Sequence, residues 1–454
     1  MFEKQSTVDL KTETKPLILS NNPHNALVKE VMDALEIEDS IIKDAPFKKL
    51  ETLGKLKTPF VIFLNEANIT DIEKKAKVFK AFDGFEEDGV LLLESFNSDT
   101  LETLGEMILK ALYSFDTYKT KKAKFGHLVY VGKQTEVFEK GLVIGEAINF
   151  TRDLVNRPYN KLNAAQLGEI AATFDRIENV EANILDKPAI EKLNMGAFLG
   201  VNKGSTDEPR LIHLTYKGAP NSSEMTTFVG KGIMYDTGGY SLKGVQSMPN
   251  MKMDMGGAAT TLGAFKAIAT LGLKTNISAV IPATDNRIGD DAIVPDDILT
   301  AANGTTIEII STDAEGRLAL CDALWYAQKE GATRIIDMAT LTGAVVAALG
   351  DNIVGAFSNN DAFYQSFEKT VKASQEKVWR LPIDPIHHKN LESPFADIKN
   401  SGGRLAGSSI AAAFLEKFVD KNIPWIHLDI PGTAFEKEKG GTGVMVKSLT
   451  KLFD

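Results

Sequence analysis

Short apolar runs alternate with amphipathic stretches along nearly all of this 454-residue chain. An apolar run of four to six residues reads as a strand buried on both faces. Interleaved with helix-period patterns, such strands form a sheet covered by helices. The chain therefore reads as α/β, with a smaller N-terminal α/β domain joined by a long helix to a larger C-terminal α/β domain with a mixed central sheet. In the first part, Lys15–Leu19, Phe60–Leu64, Gly89–Leu93 and His127–Val131 are expected strands. Asn25–Leu35 and Thr100–Leu112 are expected helices. A helical period then runs over Thr135–Val155 and stops at Asn156-Arg157-Pro158, a terminator because proline cannot continue a helix. The expected division is residues 1–134, a connecting helix at 135–158, and 159–454. In the last part Leu211–Tyr216, Thr226–Val229, Ile277–Pro282, Thr306–Ile310, Arg334–Met338 and Trp425–Ile430 read as strands. Met255–Leu271, rich in Ala, Gly and Thr, and Leu318–Glu330 read as helices.

Charge narrows the function. Lys plus Arg is 51 and Asp plus Glu is 61, a net charge of −10, which argues against a nucleic-acid binder with its basic face. No apolar stretch approaches the roughly 20 residues that span a bilayer, and Met1–Thr14 lacks a signal-type apolar run. A single cysteine, Cys321, cannot form an internal disulfide and reads as a small buried apolar group. Together these features lead us to expect a cytoplasmic protein without a membrane partner.

Three segments concentrate the chemistry. The first, Val229–Lys243, holds Lys231, Asp236, the pair Gly238-Gly239 and Lys243. The second, Met251–Ala259, holds Asp254 and the pair Gly256-Gly257, and the third, Ser311–Leu318, holds Asp313, Glu315 and Arg317. The first and third follow expected strands and the second leads into an expected helix, so all three belong where ligands bind in open α/β sheets. Brought together, Asp236, Asp254, Asp313 and Glu315 carry about four negative charges that repel one another. Two divalent cations would balance them, and carboxylate oxygens suit zinc, manganese or magnesium. Lys231, Lys243 and Arg317 remain, one lysine as a neutral amine ligand and the others as stabilisers of an anionic transition state. Each acid also has a plainer reading: Asp313 and Glu315 as complements of a helix dipole, Asp236 as a turn residue.

These segments resemble the active-site motifs of the leucyl (cytosol) aminopeptidase family. The third is similar to its Asn-Thr-Asp-Ala-Glu-Gly-Arg-Leu signature with Ser311 in place of Asn. The first resembles its Val-Gly-Lys-Gly…Asp-Ser-Gly-Gly segment with Thr237 in place of Ser, and the second its Met-Lys-x-Asp-Met-Gly-Gly-Ala segment. Arg152–Asn156, Ala339–Ala344, Trp379–Pro382, Phe395–Asp397 and His427–Ile430 fit as well, so the likeness covers about residues 150–454. It implies a catalytic peptidase domain at 159–454 that releases N-terminal amino acids, Leu and Met foremost, from peptides with two divalent ions, zinc or manganese, or magnesium. By the same resemblance Asp236 and Glu315 bridge the two ions, Lys231 and Asp254 complete the tighter one, and Asp313 the more exchangeable one. Lys243 and Arg317 become the catalytic pair, with bicarbonate on Arg317. Met251, Thr340, Gly343 and Ala434 become the side-chain pocket, where Pro431 replaces a commoner Ala. A homohexamer is implied too. The alternative is a family member with a regulatory or nucleic-acid-binding role and weak or lost peptidase activity; the seven occupied positions and the charge speak against it.

Other catalytic motifs are missing. Gly230-Lys231 lacks the upstream glycine of a phosphate loop, and there is no His-Glu-x-x-His and no Gly-x-Ser-x-Gly. His387-His388 and His427 read as solvated or structural histidines.

Overall fold

The computed structural model describes residues 2–71, 74–83, 85–403 and 405–454. The chain divides into two compact units, Met1–Asn149 and Phe150–Asp454, with the boundary inside the helix Thr135–Asn156.

The first unit is built on a six-stranded sheet in the order Phe2–Gln5, Leu128–Val131, Gly89–Leu92, Leu17–Ser20, Phe60–Leu64, Phe47–Glu51. All neighbours pair in parallel except the last, an antiparallel edge strand. Alternation along the central strands explains their continuous apolar runs. Ile18, Ile62 and Leu91 join the core on one face, while Leu17, Leu19, Val61, Phe63 and Val90 join that on the other. Phe2–Gln5 and Phe47–Glu51 were not expected as strands. Both are sheet edges, and an edge tolerates the charges that hid them.

The second unit carries a nine-stranded mixed sheet. Its central run is Trp425–Asp429, Arg334–Ala339, Thr226–Gly230, Asn276–Asn286 and Arg210–Lys217, parallel except for the last pairing. The helix Gly256–Thr270 packs on one face with Phe228, Met338 and Leu428. The helix Glu315–Lys329 packs on the other with Val229, Ile335 and Trp425.

One irregularity positions the site. Thr226–Gly230 and Gly232–Asp236 both run parallel to Asn276–Asn286, as one strand broken at Lys231. At the break the Lys231 N–H donates to Met338 O at 2.9 Å, and its carbonyl accepts from Ala258 N–H at 2.9 Å. Pairing with Arg334–Ala339 ends at Gly230, and Lys231 lies close to the starts of both covering helices. Asp236 therefore ends a second strand, where the sequence suggested a loop. The third segment also differs from expectation. It follows Thr306–Glu308, which lies in a separate three-stranded sheet with Ile298–Thr300 and Ile398–Lys399.

Candidate metal centre

Lys231, Asp236, Lys243, Asp254, Asp313, Glu315 and Arg317 all line one cleft of about 970 Å³. Each comes from a different kind of position. Lys231 sits at the strand break and Asp236 at the following strand's end. Asp254 lies in the 3-10 segment Met251–Met255 that runs into the helix on one face. Asp313 and Glu315 sit at the start of the helix on the other face. Ligands from both faces thus meet across the end of the sheet.

Two glycines make the approach possible. Gly238 turns the chain at φ +85°, and a Cβ there would lie 2.9 Å from Asp313 Oδ1. At Gly316 a Cβ would lie 2.5 Å from Lys231 Cε, so a larger residue there would displace the end of the lysine side chain.

Ion pairs organise the cluster. Lys231 Nζ lies 2.9 Å from Asp254 Oδ2 and 3.0 Å from Glu315 Oε1, and donates to Thr340 O at 2.9 Å. The Thr340 carbonyl is thus the hydrogen-bond acceptor of the ammonium, and the two carboxylates are its ion-pair partners. Lys243 Nζ lies 2.7 Å from Asp236 Oδ2 and 2.5 Å from Asp313 Oδ1. Four carboxylates thus share two lysines, leaving an excess of two negative charges in a largely buried place.

The titration behaviour follows. Burial, then repulsion from Glu315, pushes the Asp236 carboxyl up to about 6. Burial likewise raises Asp254 strongly, and Asp313, against the pull of the lysines. Glu315 goes the other way, because Lys231 and Lys243 together outweigh its burial. Burial opposes the charge of both lysines, yet the surrounding carboxylates win and hold each ammonium above its ordinary range. Burial brings Arg317 down to about 10, still charged at neutral pH.

The donor set fits divalent cations. Glu315 Oε2 is buried without a hydrogen-bond donor among the described residues, and Asp254 Oδ2 has the Lys231 ammonium beside it but no aligned hydrogen bond. Asp236, Asp313 and Glu315 each offer an oxygen, and these oxygens lie within 4.8 Å of one another. Buried carboxylate oxygens that accept no proton are the ligands that zinc, manganese and magnesium take.

Comparison with known proteins decides the family. The catalytic-domain model of the cytosol aminopeptidase family matches residues 149–450. The chain belongs to the cytosol aminopeptidase family. It is a metallo-aminopeptidase, a hydrolase that acts on peptides. Among solved structures it is similar to a tomato leucine aminopeptidase mutant, at 27% identity and a TM-score of 0.85, covering 100% of this chain and 96% of that one. It is also similar to the bottromycin maturation enzyme BotP in complex with Mn, at 25% identity and a TM-score of 0.85, covering 97% of this chain and 99% of that one. Among the described residues, no helix of the aminopeptidase is long and apolar enough to cross a membrane.

The remaining expected residues fall close by. Met251, Thr340 and Gly343 line the cleft. Ala434 is buried, and a Cβ on Gly256 would lie 3.2 Å from its methyl and 3.1 Å from Thr340 Cγ2. Arg317 Nη1 donates to Asn400 O at 2.8 Å, while its Nε has no acceptor among the described residues. Cys321 is buried. His388 pairs with Glu416 at 2.9 Å beside a separate hollow of about 620 Å³. His427 is a core residue whose Nδ1 lies 2.6 Å from Asp337 Oδ1.

Sequence reasoning assigned no role to three residues of the aminopeptidase. Asn286 donates from Nδ2 to Asp236 Oδ1 at 2.8 Å and to Thr312 O at 3.0 Å, tying the first segment to the third. Its carbonyl accepts the Thr237 hydroxyl at 2.9 Å, so the Ser-to-Thr departure keeps a hydroxyl that is in use. Asn400 donates to Ser311 O at 2.7 Å and accepts from Ile310 N–H at 2.8 Å. Asp429 accepts from Leu341 N–H at 2.9 Å and from the Thr342 hydroxyl at 2.6 Å, which shapes the loop bearing Thr340 and Gly343. The available signal was the polar run Thr284-Asp285-Asn286 at the end of an apolar strand.

Proposed function

We propose that this aminopeptidase removes an apolar N-terminal residue, Leu or Met before others, using two divalent ions held by Lys231, Asp236, Asp254, Asp313 and Glu315. The observation that carries the reading is the meeting of four carboxylates in one cleft with only two lysines among them, three of the four with carboxyls driven up by burial. Asp236 and Glu315 would hold both ions, Asp254 and Lys231 (the lysine once it has given up a proton) would hold the tighter one, and Asp313 the exchangeable one. Zinc and manganese suit this donor set best, with magnesium the third candidate. When bound, such ions polarise the scissile carbonyl and lower the pKa of the attacking water.

The protein's own groups do the rest. Lys243, an ammonium held among carboxylates, donates to the oxygen on which negative charge develops, a preorganised electrostatic role. Arg317, fixed through Asn400 and with its Nε unpartnered among the described residues, would hold bicarbonate, which would supply a group able to carry a proton. Met251, Thr340, Gly343 and Ala434 bring no charge to the substrate side chain, which favours apolar residues. The substrate's free α-amino group must be neutral to ligate and has a pKa of about 7.7–8.0, so activity rises towards alkaline pH.

The family resemblance extends to residues 159–454 as the catalytic domain and to a homohexamer, and the single cysteine favours a cytoplasmic location. A monomeric mass in light scattering at micromolar concentration contradicts the hexamer. Hydrolysis of leucine anilide by chelator-treated protein tests the reading as a whole. Activity is expected only on adding manganese or zinc; full activity without either refutes the metal requirement.

A further inference from the structure

Thr340 directly follows the strand Arg334–Ala339 and is buried beside the metal ligands. The family resemblance casts it as a wall of the substrate pocket. Its side chain also has partners among the site's own residues. The γ-methyl lies against Gly256, where a Cβ would come within 3.1 Å. The hydroxyl donates to Asp254 Oδ1 at 2.8 Å, nearer than its second acceptor, Asp254 O at 3.1 Å. The main-chain carbonyl of the same residue accepts from Lys231 Nζ at 2.9 Å. One residue thus grips both side chains assigned to the tighter ion, the acid through its hydroxyl and the lysine through its carbonyl.

The grip is rigid. Ala339 O accepts from Ile430 N–H at 2.8 Å just before Thr340, and Leu341 N–H donates to Asp429 Oδ1 at 2.9 Å just after it. The Thr340 hydroxyl occupies Asp254 Oδ1 and leaves Oδ2, the oxygen beside Lys231, without an aligned donor. A carboxylate with one oxygen tied to a donor presents the other in a single orientation.

We propose that Thr340 is a positioning residue for the ion held by Lys231 and Asp254, orienting Asp254 through its hydroxyl, and that this role is separable from any part it has in the substrate pocket. The inference rests on the two-ion reading. Losing a hydrogen bond to a metal ligand characteristically weakens metal affinity by about 10–100-fold. Valine keeps the shape of threonine and lacks the hydroxyl, whereas serine keeps the hydroxyl and lacks the methyl.

The experiment is calorimetric titration of manganese into the chelator-treated full-length chain, comparing wild type, Thr340→Val and Thr340→Ser, with melting curves of each chain before metal is added. We expect wild type to bind two ions. Thr340→Val should lose about 10–100-fold in affinity for one of them. Thr340→Ser should hold both ions like wild type while its preference among aminoacyl anilides shifts. If the valine chain fails to fold, Thr340→Ser decides alone: a folded serine variant with wild-type affinity supports the role, and one with weakened affinity overturns it. Wild type with two ions and Thr340→Val with the same two affinities overturns this inference and leaves the two-ion reading standing. Wild type without a second ion overturns both.

Discussion

Replacing Lys231 with Met removes a charge and keeps the length of the side chain. Lys231 is 3% exposed and sits 2.9 Å from Asp254 and 3.0 Å from Glu315. At an effective dielectric of about 20, each attraction is worth roughly 5 kcal/mol before the cost of burying the ions. Removing one partner of such a buried group leaves uncompensated charge and costs about 3–5 kcal/mol net. That corresponds to a fall in melting midpoint on the order of 10 °C. The deficit depends on pH. A carboxyl whose folded pKa lies above its unfolded value adds stability that is complete below the unfolded value and is lost as pH climbs through the folded one. Asp236, pushed up to about 6, and Asp254 are both of this kind. Without the lysine they move further up, so the deficit is largest near pH 8 and shrinks towards pH 5. Trp325, Trp379 and Trp425 are the chain's three tryptophans, and all lie in Phe150–Asp454. Tryptophan fluorescence therefore follows melting of the unit that holds the site. Equal midpoints for chelator-treated wild type and Lys231→Met at pH 8 refute the reasoning.

Three further outcomes are expected. Asp236→Ala and Glu315→Ala should each lose both ions, and metal analysis finding two ions in either variant removes the bridging assignment. Arg317→Ala should keep both ions, whereas Arg317→Lys should lose turnover in bicarbonate-free buffer and regain part of it as bicarbonate is added, because an ammonium lacks the planar fork; a wild type indifferent to bicarbonate with a fully active Lys variant leaves Arg317 as a charge balancer. On a panel of aminoacyl anilides kcat/KM should be higher for Leu and Met than for Asp and Glu, with acyl-blocked peptides uncut; a higher value for the acidic residues contradicts the uncharged pocket.

Much of this architecture was legible before any coordinates. Phe60–Leu64 falls on the expected strand, because a run buried on both faces has no other comfortable place. Asn25 caps the helix Ala26–Leu35 with its side chain, so the expected start at Asn25 differs only by the cap. The chemistry-bearing segments were legible because their acids and glycines are unusual company for an apolar sheet. What escaped was information carried between distant positions. The strand break at Lys231 depends on a helix start and a neighbouring strand, and nothing local in Val229–Gly232 announces it. Asn286, Asn400 and Asp429 act through hydrogen bonds to residues tens of positions away, and an isolated Asn or Asp looks the same whether it orders a ligand or a turn. The edge strands were hidden for another reason: their lysines and glutamates serve the edge and erase the apolar period.

The two-ion centre is tested most directly by anomalous scattering from crystals of the manganese-loaded protein. Lys243 Nζ lies 2.7 Å from Asp236 and 2.5 Å from Asp313, between those two carboxylates. Two anomalous peaks about 3.5–4 Å apart are expected among Asp236, Asp254, Asp313 and Glu315, with Lys243 withdrawn from between Asp236 and Asp313. A single peak, or none within reach of these carboxylates, contradicts the two-ion centre.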